Sequence, residues 1–322
     1  MGFFVFLPLV LPLTAWPIAR LAEQHLHPRT ATRLLSGVAG VFALCSTLCL
    51  GLLMVVGTAQ LPGNPLPDGW SDPEVRAALP YDEVAGRLAI PALFAVVVAC
   101  TRTLWRHAAR HRHAHQALSG LRPTLVAVLP DPDPYAYALP GRRGGRLRRT
   151  GRRPAWPGRV VVSAGMLDRL ASRERRALFA HERAHLDGAH HRYLLAVRLA
   201  ARANPFLRPL CTAVAYTAER WADEDAADAL GDRRVVARAI GRAALVSRGT
   251  RVGLPGFAVG GPVPRRVAAL LGPAPAARVW PPAFTSVGLA VWSAAAGTAV
   301  SALSSANSAV ALFTVLRAAT AV

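Results

Sequence analysis

His181-Glu182-Arg183-Ala184-His185 stands in a stretch of helical character, and Glu219-Arg220-Trp221-Ala222-Asp223 follows in a second one. Histidines four apart on an α-helix lie one above the other on the same face, so His181 and His185 can both offer an imidazole nitrogen to one ion. A catalytic zinc takes three protein ligands and keeps a fourth position for water, so another ligand must arrive from elsewhere in the chain, and Glu219 is the candidate. Glu182, beside the first histidine, would reach that water rather than the ion. Zinc acidifies its water enough for a carboxylate to deprotonate it, which makes Glu182 the candidate general base. Asp223 lies one turn beyond Glu219 and is placed to accept a hydrogen bond from the second ring nitrogen of a ligand histidine, with His181 the expected partner.

Two plainer readings stand beside these. The histidines could be incidental on a solvated helix, and Glu219 and Asp223 could belong to an acidic solvated face that continues through Glu224, Asp225 and Asp228. Local context favours the helix that the chemistry requires: Ser172 reads as its N-cap and Gly188 as its stop.

Outward from this motif, the chain turns apolar. Hydrophobic residues make up 52% of the 322 and charged ones only 17%, which points toward a bilayer. Four segments carry the excess: no charge appears before Arg20, from Leu34 to Pro67, from Leu88 to Thr101, or from Val279 to Leu316, against a requirement of about 20 apolar residues per span. The third reaches that length if it runs from Val84 to Trp105, with Arg87 and Arg102 snorkelling to the interfaces. The first holds Pro8, Pro12 and Pro17 and lacks a basic leader, so it reads as a retained, kinked span rather than a cleaved signal.

Basic residues set the orientation. Arg20, Arg29 and Arg33 follow the first span, and Arg102, Arg106, Arg110 and Arg112 the third, whereas the intervening loop carries Asp68, Asp72, Glu74, Asp82 and Glu83. Both termini are therefore expected outside and the zinc motif on the cytoplasmic side. The net charge of +20 is supplied by arginine alone. Beside four spans it reads as attraction to anionic headgroups rather than direct nucleic-acid binding. The arginines between Arg142 and Arg153, interspersed with glycine, read as a flexible basic loop rather than a folded element. His107, His111, His113 and His115 also show i, i+4 spacing, but in a basic juxtamembrane stretch without a carboxylate partner. Cys45, Cys49, Cys100 and Cys211 lie in apolar segments and imply no disulfide framework.

The expected architecture is a mainly α membrane protein with four transmembrane helices and a cytoplasmic α+β zincin-like domain between spans 3 and 4. Residues 1–120 hold three spans (about 2–19, 34–60 and 84–105), 121–278 the metallopeptidase domain, and 279–322 the last span. Within the domain, Thr124–Leu129, Tyr135–Leu139 and Arg159–Ser163 read as strands. Helices follow over Gly165–Leu170, Arg173–Asp187, Tyr193–Ala203, the acidic stretch, Asp232–Ser247 and Pro264–Leu271. Tyr135–Leu139 is a candidate edge to hold a substrate as an added strand, or an ordinary surface strand.

His181-Glu182-Arg183-Ala184-His185-Leu186, Asn204-Pro205-Phe206 and Glu219 to Asp223, with three spans before and one after, resemble the BlaR/MecR-type membrane metallopeptidases, whose relatives include the HtpX-like proteases. The resemblance implies a gluzincin: His181, His185 and Glu219 as ligands to Zn2+, Glu182 as base and Asp223 in support. It also implies cytoplasmic proteolysis of a protein or peptide substrate linked to signalling, often a transcriptional repressor. Receptor members carry a large extracellular domain after the last span, and here the sequence ends at Val322, so direct sensing of β-lactams is not implied. The oxyanion of peptide hydrolysis needs a donor, for which His190, His191 and Arg233 are candidates. Two other classes remain open: a non-catalytic membrane signalling or scaffold protein with a structural zinc, and a transporter, against which the absence of paired charges in the spans speaks.

Overall fold

A computed structural model describes residues 5–63, 66–71, 82–122, 124–141, 146–147, 151–152, 158–247, 262–275 and 284–320. Much of the arginine loop and of the acidic loop before the third expected span falls outside these, but the described part of the arginine stretch is not loop alone: Arg146–Leu147 pairs antiparallel with Gly151–Arg152.

Among the described residues, three helices are long and apolar enough to cross a membrane: within α3 (Pro28–Ala59), α4 (Asp82–Ala117) and α11 (Ser286–Thr320). They take up the second, third and fourth expected spans. The first, about residues 2–19, is instead divided into α1 (Leu7–Val10), a 3-10 turn (Leu11–Thr14) and α2 (Ala15–His25), and is not among the three. Proline explains the division. Pro8 and Pro12 each sit in the first turn of a short segment, where a missing N–H is tolerated, and neither can continue the preceding one.

The most apolar stretch of α3 is 44% buried and that of α4 only 11%. Helix α3 is therefore the centre of the bundle, whereas α4 turns Leu88, Phe94, Val97, Val98, Leu104 and Trp105 outward, as a lipid-facing helix does. The two cross at glycines: a Cβ on Gly57 would lie 2.2 Å from the backbone of Gly86, so only glycine permits this approach. All four cysteines are free thiols.

The remaining elements are β1 (Val126–Leu129), β2 (Ala136–Leu139), the two-residue pair β3 (Arg146–Leu147) and β4 (Gly151–Arg152), and β5 (Arg159–Ser163). Helices α5 (Ala164–Asp168), α6 (Ser172–Asp187), α7 (His190–Ala203), α8 (Arg208–Leu230), α9 (Arg233–Val246) and α10 (Val263–Leu271) complete the fold. In the three-stranded sheet β5 is central, parallel to β1 and antiparallel to β2. Val160, Val161 and Val162 are buried on both faces, which is what a continuous β-branched run requires. The expected strands are all present, shortened at their starts for β1 and β2.

The sheet, α5, α6, α9 and α10 enclose one core around Val162, Met166, Leu178, Val236 and Ile240. The domain is not closed by that core alone. A second core joins it to the membrane helices: Ala15 and Ala19 of α2, Leu35 and Val38 of α3, Val197 and Ala200 of α7, and Leu210 and Val214 of α8 pack as one cluster. Thr32 Oγ1 donates to Thr217 Oγ1 at 2.9 Å, a buried polar link between α3 and α8. Asn204 stops α7 and accepts the Phe206 N–H, turning the chain through Pro205–Leu207 into α8. Gly231, at φ 67°, ends α8 in the left-handed conformation that favours glycine.

A candidate metal centre between two helices

Helix α6 carries His181, Glu182 and His185, and α8 carries Glu219 and Asp223; the two helices pack face to face. Ala171, not Ser172, is the N-cap of α6: its N–H donates to Glu174 Oε2 at 2.8 Å, so the buried glutamate secures the first turn. The helix ends at Gly188, but the left-handed residue is Ala189, with φ 50° and ψ 38°.

The acidic stretch of α8, for which a solvated face was the plainer alternative, is largely buried. Glu219, Asp223 and Glu224 are enclosed, whereas Asp225 and Asp228 are exposed. A buried carboxylate requires partners, and each of the three has them. Glu224 pairs with Arg220 and Arg233. Asp223 Oδ1 lies 2.9 Å from His181 Nδ1, the contact expected of it. Glu219 meets the other nitrogens of the pair: Oε2 is 3.5 Å from His181 Nε2 and Oε1 is 3.5 Å from His185 Nε2. The two Nε2 atoms are 3.0 Å apart.

These distances test whether the residues suit a metal. Donor atoms held about 2.1 Å from a tetrahedral centre stand about 3.4 Å from one another. The imidazole nitrogens stand 3.0 Å apart and each has one Glu219 oxygen at 3.5 Å, Oε2 beside His181 and Oε1 beside His185, separations of the size that donors to one ion show. Two imidazoles and a carboxylate are a donor set that zinc favours, and His181, His185 and Glu219 are the one such group among the described residues. Glu182 is buried at the same place, 2% exposed.

One residue of this constellation was not anticipated. Arg266, on α10, is fully enclosed, and its Nε and Nη2 donate to the two oxygens of Asp223 at 2.8 and 2.6 Å. Its Nη1 lies 2.9 Å from Glu219 Oε2. One guanidinium thus holds both carboxylates and leaves Glu219 Oε1 nearest His185. A signal existed in the spacing: Val263, Arg266, Val267 and Leu270 fall at i, i+3, i+4 and i+7, so the arginine lies in the apolar stripe of its helix. A buried arginine demands carboxylate partners, and α8 supplies them.

Electrostatics follow from this packing. Burial alone would raise the pKa of Glu219, but Arg266, then His185 and His181, hold it well below the ordinary carboxylate range. Asp223 is likewise lowered against its burial, by Arg266 and His181. Burial disfavours protonation of His181, yet its hydrogen bonds with Asp223 and Glu219 outweigh that and lift it to about 9. Glu182 is raised, chiefly by burial; the neighbouring histidines oppose that shift and Glu219 reinforces it.

Of the three candidate oxyanion donors, Arg233 is committed to other partners, whereas His190 and His191 each keep one buried ring nitrogen without a hydrogen-bond partner among the described residues. His190 Nδ1 is 2.8 Å from His185 Nδ1, and burial followed by the charge of His185 lowers its pKa to about 2. Arg233 pairs with Glu224 and donates to the carbonyls of Ala269 and Leu270 at the end of α10. His191 lies near His107 and His111, its pKa brought down to about 4 by burial and then by Arg192 and those histidines. In the juxtamembrane ladder itself, His111 and His115 have ring centroids 4.7 Å apart and His115 Nε2 lies 3.0 Å from the Pro140 carbonyl. No triad of ligating atoms converges there among the described residues.

Residues 101–202 match the family model described as Peptidase family M48. The match takes in the end of α4, the sheet, α6 and nearly all of α7, including His181 to His185, and stops before Glu219 and Asp223. It supports a membrane-type zinc metallopeptidase family without singling out the BlaR/MecR type. Peptidases of this family are metal-dependent, and together with three apolar helices the match fits a membrane metalloprotease. No curated protein and no solved structure matches the chain.

Proposed function

We propose that this chain is a multi-pass membrane zinc metalloendopeptidase that cleaves protein substrates at the cytoplasmic face, in the regulated proteolysis characteristic of BlaR/MecR-type enzymes. The observation that carries the proposal is the convergence of His181, His185 and Glu219 beside buried Glu182. His181 and His185 would hold the ion through ring nitrogens and Glu219 through its carboxylate. Asp223 orients His181, and Arg266 keeps both carboxylates in place. When bound, zinc supplies Lewis acidity toward a water and the scissile carbonyl.

Glu182 then works by proton transfer. As a carboxylate in a buried position, with its pKa raised, it takes a proton from the attacking water and passes it to the leaving nitrogen. The substrate is an extended polypeptide: β2 is one edge of the sheet and packs against α6, so a strand added there would run beside the site. The natural substrate in this reading is a cytoplasmic protein such as a transcriptional repressor. The arginines face lipid headgroups, with no direct nucleic-acid contact.

The cytoplasmic assignment rests on charge. Helix α3 begins at the domain side with Arg29 and Arg33, whose guanidiniums lie 5.1 and 5.3 Å from the Trp221 ring of α8. The arginine-rich end of α4 packs against α7. The domain therefore sits at the basic ends of two spans, the ends that stay inside.

The test is hydrolysis of an unfolded protein by the full chain purified in detergent. Cleavage should stop on chelation and return with zinc; cleavage that survives complete metal removal contradicts the proposal. Glu219→Ala should lower bound zinc from one per chain to a small fraction, measured by metal analysis, and an unchanged content would remove Glu219 from the ligand set. A pH dependence follows too. Asp223 and Glu219 favour a proton on His181 in the metal-free chain, so zinc has to displace it on binding. Apparent zinc affinity should therefore rise with pH through the neutral range, as a competition titration would show, and an affinity that falls as pH rises there would contradict this.

A further inference from the structure

His185 can turn only one ring nitrogen toward His181 and Glu219, and something must hold the other. That contact is His190, whose Nδ1 lies 2.8 Å from His185 Nδ1, the two rings 89° apart in plane. If His185 presents Nε2 to a cation, its remaining proton is on Nδ1, so it donates and His190 accepts.

The surroundings are built for this contact. His190 is 1% exposed, and on its other side the ring lies 4.4 Å, centroid to centroid, from Trp221. Trp221 is itself enclosed between that histidine and the guanidiniums of Arg29 and Arg33. The backbone makes room at some cost. A Cβ on Gly188 would fall 2.4 Å from His190 Nε2, so a side chain there would evict the ring. Ala189 is the one non-glycine residue with positive φ among those described, and its unfavourable conformation brings the chain back toward His185 one residue later. His190 Nε2 finds no hydrogen-bond partner among the described residues. Packing alone would not select a buried imidazole that leaves one nitrogen unsatisfied.

We infer that His190 is a positioning residue, which accepts the Nδ1 proton of His185 and so fixes the tautomer and ring plane that aim His185 Nε2 at the metal site. It does for the second histidine what Asp223 does for the first, but as a neutral acceptor. The inference rests on the reading of His181, His185 and Glu219 as metal ligands.

The test measures zinc affinity of the full chain in detergent by competition with a chromophoric chelator, and records the visible spectrum of the Co2+-substituted form. His190→Ala should weaken zinc binding by about 10- to 100-fold, the usual effect of losing such a support. It should also alter the cobalt bands. His190→Asn places an acceptor oxygen where Nδ1 stood and should restore most of the affinity and the wild-type spectrum. Should the alanine variant not fold, the asparagine variant decides alone. Alanine binding as tightly as wild type, or asparagine failing as badly as alanine, overturns the positioning role. His185→Ala is the control. If it loses zinc while His190→Ala keeps it, only the inference about His190 falls; if wild type binds no zinc, the metal reading falls and takes the inference with it.

Discussion

Glu182→Gln is expected to leave zinc bound and to lower the rate of peptide hydrolysis by about 10²- to 10⁴-fold, the range that a lost general acid–base contributes. The substitution is nearly isosteric and touches none of the three ligands. Glu182 is buried with its pKa raised by that burial, so an amide in its place removes a desolvated charge rather than a stabilising one. Stability should be unchanged or slightly higher. Turnover of an unfolded substrate, metal content and thermal melting, measured on the same preparation, separate these effects. Normal turnover by the Gln variant would remove Glu182 as base, and loss of the metal would show that it serves the site in another way.

Arg266→Ala should be the most damaging single change to the fold of the site, costing about 3–5 kcal/mol, as expected when one partner of a buried ion network is removed. Asp223 and Glu219 would then lose the one guanidinium that touches both, and His181 would be left as the only cationic side chain described against the two buried carboxylates. The pH dependence has a definite sign. Both carboxylates have depressed pKa values in the folded chain, so their contribution is fully present above their unfolded values of about 4 and is lost as pH falls through the folded ones. The gap between wild type and Arg266→Ala should therefore be widest near neutrality and close on acidification. Arg266→Lys should recover only part, since a single ammonium cannot reproduce the two-pronged hold on Asp223 and also reach Glu219. Denaturant titrations at several pH values would measure both, and a gap that widens on acidification would contradict this account.

The pairing of His181 with His185 on one helix, and of Glu219 with Asp223 on another, was legible because helical spacing is displayed directly by a sequence, whereas the meeting of the two pairs was inferred from the need of zinc for a third ligand. Long runs without charge likewise displayed α3, α4 and α11, and β-branched runs the strands. Other features depend on what lies across a contact. A solvated face stayed open as an alternative for the acidic helix because nothing local announces that Arg266, some forty residues on, neutralises Asp223 and Glu219, or that Arg233 neutralises Glu224. Arg266 sat in an apolar stripe that could have been read, but its partners could not. His190 looked like a free donor because its sequence position does not reveal that α7 begins by folding it back against His185. The division of the first apolar segment was present in Pro8 and Pro12, whose effect at such short spacing is to restart the helix rather than bend it. The shared core of α2, α3, α7 and α8 had no sequence signature, since alanine, valine and leucine serve equally in a separate domain core or against a membrane helix.

The central claim is that two imidazoles and one distant carboxylate hold a single divalent ion. Metal analysis of the purified full chain beside its His185→Ala variant tests it most directly. One zinc per chain in wild type and little or none in the variant is the predicted result; a wild-type chain without stoichiometric metal, or a variant that retains it in full, would contradict the account.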